Sequence, residues 1–179
     1  MRRIDSDILN CPLKERQQLS NENRIHHVPA GSGPGYWGPG DQIRFILTGA
    51  ETGGAFFLAE VLVPPGGGPP PHIHDREDET FYLLQGALTV WVGDQTVYAS
   101  QGDCAHLPRG IVHSFRNTGM DNARMLVTVT PAGIEKFFEE ACYPAVEGKE
   151  PPPVTPELIA RLMAASARHD LTFLPPAHS

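Results

Sequence analysis

The sequence predicts an all-β protein, a small sandwich or barrel with an arm at one end and helices at the other. Three observations point there. From Gln42 onward, eight short runs rich in β-branched and aromatic residues follow one another: QIRFILT, AFFLAEVLV, TFYLLQ, ALTVWV, QTVYAS, CAHLP, HSFRN and RMLVTVT. They are separated by turn signals such as GAETGG, GDQ, QGD, PRG and NTGMDN, at a spacing of about 8–12 residues that suits antiparallel β-structure. Glycine and proline, 18 of each among 179 residues, crowd into residues 29–40 (PAGSGPGYWGPG) and 64–71 (PPGGGPPP), which no long helix can cross. A helical bundle or coiled coil is thereby excluded.

The ends read differently. Residues 1–28 are polar and mixed, with a short helix expected around Leu13 to Leu19, and with the first Gly/Pro stretch they form an arm and linker, 1–36. The barrel is assigned to 37–131 and a helical extension to 132–179. In PAGIEKFFEEA the apolar residues Ile134, Phe137, Phe138 and Ala141 share one helix face. A second helix is expected from about Pro156 to Arg168. Thr155 can cap it, Pro156 suits the first helical position and Glu157 favours the positive end of the dipole. Its apolar side, Leu158, Leu162 and Ala165, must pack on the barrel exterior or on a second subunit, and a homodimer is expected.

Composition narrows the function. An apolar content of 40% supports one core. The net charge of −7, without a Lys/Arg cluster, argues against nucleic acid and anionic membranes as partners. No apolar run is long enough to span a bilayer, and MRRIDSDILN lacks the apolar stretch of a secretory signal, so the expected location is cytoplasmic. Cys11, Cys104 and Cys142 are odd in number and far apart, which reads as incidental thiols rather than a disulfide framework. GSGPG at 31–35 neither precedes a GK[ST] sequence nor joins a strand to a helix, so it is no phosphate loop.

The chemistry is concentrated in the histidines. Four of the eight lie between positions 72 and 113. In HIHDREDE, His72 and His74 project from one face of a strand, and Glu79 joins them if the chain bulges or turns once in DRED. His113 starts a later strand. Alone, an HxH pair can be two hydrogen-bonded surface histidines and DREDE a solvated turn. Three neutral imidazoles and a carboxylate converging inside a barrel instead make a metal site, for which Fe, Ni, Mn, Cu, Co and Zn are all suitable.

The frame around these residues decides between the two. Gly66, five residues, His72, one, His74, four, Glu79, six, Gly86 is one motif; Gly102, five, Pro108, one, Gly110, two, His113, three, Asn117 is another, 15 residues on. Together they resemble the two signatures of the cupin superfamily, over about residues 42–131. The resemblance implies a small β-barrel or jelly roll holding one divalent metal ion at His72, His74, Glu79 and His113. TGGAFFLAEVLVPPGGGPPPHIH and PAGIEKFFEE further resemble the single-domain cupins grouped with quercetin dioxygenases. That implies an oxidoreductase using O2 on a flavonol-like or other enolisable small molecule, with Glu79 as the catalytic base. The alternatives are a non-oxidative cupin isomerase, epimerase or decarboxylase, and a non-catalytic small-molecule binder.

The remaining side chains receive structural expectations. Phe81, Leu83 and Phe115 are expected to wall the substrate pocket, while Glu77 and Asp78 face water. Trp91 is expected to cover the exterior under a helix or at a dimer contact. His106 is expected to be structural; His26, His27, His169 and His178 are expected to be solvated in the arms. Arg109 is equally suited to bracing its turn and to the pocket mouth. The PPGGGPPP run is expected to act as a stiff ramp that delivers His72 and His74 in register.

Overall fold

The computed structural model describes residues 25–174 apart from 147 and 150. The helix expected around Leu13, Cys11 and His178 lie outside those residues. All eight expected runs form strands, and four shorter ones join them. One sheet holds seven: β1 (Gly35–Trp37), β2 (Gln42–Leu47), β3 (Phe57–Val63), β5 (Asp78–Gln85), β8 (Cys104–Leu107), β10 (Ala123–Thr130) and β11 (Tyr143–Pro144). The other holds β4 (His72–His74), β6 (Ala87–Val92), β7 (Gln95–Ser100), β9 (His113–Arg116) and β12 (Leu171–Phe173). Their spatial orders are β11-β1-β2-β3-β10-β5-β8 and β12-β4-β9-β6-β7, with every ladder antiparallel.

Strict alternation builds the interior. β3 buries Phe57, Ala59, Val61 and Val63, and β10 opposes them with Ala123, Met125, Val127 and Val129. From the other sheet come Leu88, Val90 and Phe115. Each fully buried large side chain contributes about 1.5–3 kcal/mol over its exposed state.

Three helices complete the chain: α1 (Gly49–Thr52), α2 (Glu135–Ala141) and α3 (Pro156–Ser166). The GAETGG turn signal folds into the single turn α1, where Thr48 and Glu51 form a capping box. The two amphipathic helices match expectation. Ile134, Phe137 and Ala141 are buried on the first, and Leu158, Leu162 and Ala165 on the second, whose Thr155 side chain accepts from the Leu158 amide.

Residues 29–40 require a correction. The sequence predicts a linker there, yet β1 lies within it and pairs with both β2 and β11, so the 36/37 boundary cuts a strand. Three residues between glycines carry too little alternation to read as a strand.

The Gly/Pro ramp is held by contact as well as by stiffness. A Cβ at Gly68 would lie 2.0 Å from the Phe115 carbonyl oxygen, so only glycine lets the ramp lie against β9 beside His113. Asn117 ties the two motifs together. Its backbone exchanges hydrogen bonds with Gly66 and Gly67, its side-chain amide donates to the Val63 and Asp121 carbonyls at 2.8 Å each, and its side-chain oxygen accepts from Gly119. Asn117→Ala is expected to cost about 2–4 kcal/mol by orphaning these buried groups, read as a lower urea midpoint with an unchanged m-value.

Candidate metal centre

His72 and His74 point from the inner face of β4, and β9 places His113 directly opposite His72. The ring centroids are 4.4 Å apart for His72 and His113, 5.1 Å for His72 and His74, and 5.3 Å for His74 and His113. Glu79 arrives from the opposite direction. The turn at Asp75–Glu77 carries the chain from one sheet into the other, so Glu79 on β5 faces the three imidazoles across the interior. One donor atom from each of the four lies within 4.8 Å of the others.

The outer ring nitrogens show which atoms are free to bind. His72 Nδ1 lies 2.9 Å from the Pro70 carbonyl oxygen and His113 Nδ1 lies 3.0 Å from that of Ile111. A carbonyl oxygen only accepts, so both Nδ1 atoms carry the proton and both Nε2 lone pairs are left for the interior. His74 Nδ1 faces the Glu77 carboxylate at 3.8 Å. For His72 and His113 this backing by a carbonyl is the arrangement that orients metal-ligating histidines, whereas His74 Nδ1 has the Glu77 carboxylate near it without a hydrogen bond. His113 Nε2 is buried 3.2 Å from Glu79 Oε2 but is not aligned to hydrogen-bond it. A buried imidazole nitrogen left without a hydrogen-bond partner among three other donors fits an ion held by all of them.

The electrostatics are those of a closed cluster. Burial, reinforced by the neighbouring His113 and His74, pushes His72 down to about 3, so it stays neutral. Burial alone would raise the Glu79 carboxyl and lower the His113 imidazole, but their mutual attraction outweighs it in both: Glu79 is held below the ordinary carboxylate range and His113 above the ordinary imidazole range. A charged Glu79 beside a neutral His72 suits a divalent cation, and binding one would displace the proton that Glu79 favours on His113.

The cluster opens into a chamber of about 70 Å³ lined almost entirely by apolar side chains, among them Val61, Val127 and Phe115 from the sheets and Phe137 from α2. Both motifs and the strands that present them also fall within one family profile. The profile described as "Cupin domain" matches residues 59–129. The chain belongs to the cupin family.

Among its relatives, this cupin is 33% identical over 102 residues to a quercetin 2,3-dioxygenase from Bacillus subtilis, a match covering 55% of this chain and 29% of that protein. It is 29% identical over 93 residues, 51% of this chain and 62% of the relative, to the tetracenomycin polyketide synthase protein TcmJ from Streptomyces glaucescens. The chain thus spans less than two thirds of each of these relatives. The solved structure of KdgF from Halomonas sp. superposes with a TM-score of 0.56 at 18% identity, covering 64% of this chain and 99% of that one, which shows the shared fold.

Several expected positions change in the folded cupin. Of the three pocket residues, Phe115 reaches the chamber, while Phe81 and Leu83 do not. They share the inward face of β5 with Glu79, but each two-residue step moves about 7 Å along the strand, and Phe81 ends in the core, edge-on to Phe115 at 5.3 Å. Glu77 does not face water: it is 3% exposed, behind His74. Asp78 is half-buried and held by Arg109, whose backbone N–H and guanidinium both donate to its carboxylate. That contact, with its direct hydrogen bonds, holds Asp78 well below the usual carboxylate range and settles Arg109 as the brace of its turn. The adjoining Gly110 amide donates to the His74 carbonyl at 2.8 Å, so this turn steadies β4.

His169 is likewise no solvated arm residue. It packs edge-on to Phe137 and lies 2.8 Å from Glu140 through Nε2. His26, His27 and His106 are exposed, with His106 3.1 Å from the Thr80 hydroxyl. Trp91 is on the exterior as expected, but no helix among the described residues covers it; it is 37% exposed beside the proline ramp. Cys104 is exposed and Cys142 buried, its thiol pushed up to about 12 by burial. Among the described residues, no helix is long and apolar enough to cross a membrane.

Asp41 is the site residue that sequence reasoning missed. It follows the Gly38-Pro39-Gly40 turn before β2, lines the chamber, and its Oδ1 is shut off from solvent without a hydrogen-bond partner. Burial, with the charge of Glu79 next, raises its carboxyl to about 7. Between about pH 4 and 7 the folded chain therefore holds a proton that the unfolded chain releases, and stability falls as pH rises through that window. Asp41→Asn is expected to unfold at a higher temperature than the parent above pH 7, with the difference vanishing below pH 4.

Proposed function

We propose that the chain is a metal-dependent dioxygenase of quercetinase type, acting on an enolisable small molecule and consuming O2. The observation that supports this most directly is the convergence of three imidazoles and one carboxylate beside an apolar chamber, with the Nδ1 protons of His72 and His113 turned outward, in a chain related to a quercetin dioxygenase. His72, His74, Glu79 and His113 would hold one divalent transition metal. Such an ion supplies Lewis acidity, making a bound hydroxyl far more acidic than in water.

The protein's own groups do the rest. Glu79 faces the cluster with its carboxylate ionised, so it can take the proton of an enol or phenol held there. The apolar walls exclude water, which strengthens that transfer and protects reactive products. The Pro70 and Ile111 carbonyls fix two of the imidazoles, His72 and His113, so that their orientation survives substrate exchange. The reading is tested by oxygen uptake with the metal-loaded chain and a panel of flavonols and β-diketones. It predicts metal-dependent O2 consumption with at least one of them; a molecule that binds and persists unchanged would favour a binding protein instead.

A further inference from the structure

A chamber of about 70 Å³ is small for such a substrate. An apolar cavity needs roughly 150 Å³ to accept benzene, and sites for drug-sized ligands run to about 300–1,000 Å³. The walls that limit it come from two sources. The barrel strands, with their continuous ladders, form the fixed part. The remainder lies beyond residue 129, where the family profile ends: Leu162 on α3 and Leu171 and Phe173 on β12 also line the chamber.

β12 is the outermost strand of its sheet and only three residues long, and it pairs with β4 alone, with Leu171 against His74 and Phe173 against His72. The Phe173 ring lies 5.7 Å from the His72 ring and 6.1 Å from that of Phe137. The segment before it is anchored by Leu162 and Ala165 in the core, and its last turn and the approach to β12 are fastened from outside. Arg168 and His169 both reach the carboxylate of Glu140, and Arg161 donates to the Glu140 carbonyl at 2.7 Å. Exposed ion pairs of this kind are weak ties, and short edge strands open at low free energy.

We propose that β12, through Leu171 and Phe173, is the size-limiting and movable wall of this site: docked on β4 it confines the chamber to small ligands, and undocked it admits a larger planar one. The proposal rests on the chamber being the ligand site but not on the reaction. Two variants of the full chain test it. Phe173→Ala is expected to leave a chamber that holds benzene, seen as a benzene-dependent rise in unfolding temperature that the parent lacks. Ile73 and Thr172 are cross-strand partners whose side chains point away from the chamber. An Ile73→Cys/Thr172→Cys disulfide should therefore staple β12 to β4.

In the metal-loaded staple, extraction of the ion by EDTA and binding of 3-hydroxyflavone are both expected to slow at least about tenfold, and dithiothreitol should restore the parent rates. Equal extraction rates in the oxidised and reduced staple would overturn the movable wall, and a folded Phe173→Ala that takes no benzene would overturn the size limit. If Phe173→Ala does not fold, Phe173→Leu with xenon in place of benzene gives the same reading. Benzene and EDTA report without turnover, so a chain that passes both yet consumes no oxygen loses the dioxygenase reading and keeps this one.

Discussion

Glu79→Gln is expected to lose about 10²–10⁴-fold in turnover, the usual worth of a positioned general base, while keeping its fold and much of its metal. The amide matches the carboxylate in shape and still presents an oxygen to the cluster, but it cannot accept the substrate proton. Glu79 lies 3.2 Å from His113 Nε2, within the cluster itself. Of the neighbouring carboxylates, Asp78 is held by Arg109 and Glu77 is buried behind His74 on the far side of the ring. The result is read by steady-state oxygen uptake together with metal content. Equal turnover in parent and variant would remove the base role, whereas loss of metal and activity together would make Glu79 a ligand first.

The second large effect concerns the metal itself. His74→Ala or His113→Ala removes one of four donors and is expected to weaken metal binding by more than the roughly 10–100-fold typical of losing an outer hydrogen-bond partner. Glu77→Gln, which alters only what backs His74, should fall within that smaller range. The contrast separates ligand from support. Competition against a fluorescent chelator gives both affinities, and the metal-induced rise in unfolding temperature should shrink in the same order. A His74→Ala protein with parental affinity would contradict the ligand assignment.

Much of this site was legible because its signal is local. The HxH spacing sends two rings to one side of any strand, and the glycines and prolines at fixed distances mark turns that could be placed by counting. Glu79 illustrates the limit. Its membership of the cluster followed from spacing, but its route did not: it reaches the histidines by crossing between sheets, not by sharing their strand. The same crossing buries Glu77, which among Asp75, Arg76 and Asp78 reads as one more solvated charge. Asp41 lies in a Gly/Pro turn without periodicity, and nothing in four residues tells whether a turn faces solvent or the barrel mouth. The β12 wall was hidden by length. Leu171-Thr172-Phe173 alternates correctly, but three residues cannot be distinguished from chance, and their partner His72–His74 lies almost a hundred positions away. Phe81 and Leu83 have the expected facing and the wrong depth, since parity sets the side of a sheet and says nothing of height along it.

The most direct measurement is metal content with X-ray absorption on the chain purified from metal-supplemented cells. The account predicts one transition-metal ion per chain, with a shell of nitrogen and oxygen neighbours at roughly 2.0–2.2 Å whose imidazole scattering diminishes in His72→Ala. A chain without a transition metal, or an ion whose surroundings are unchanged in His72→Ala, would contradict it.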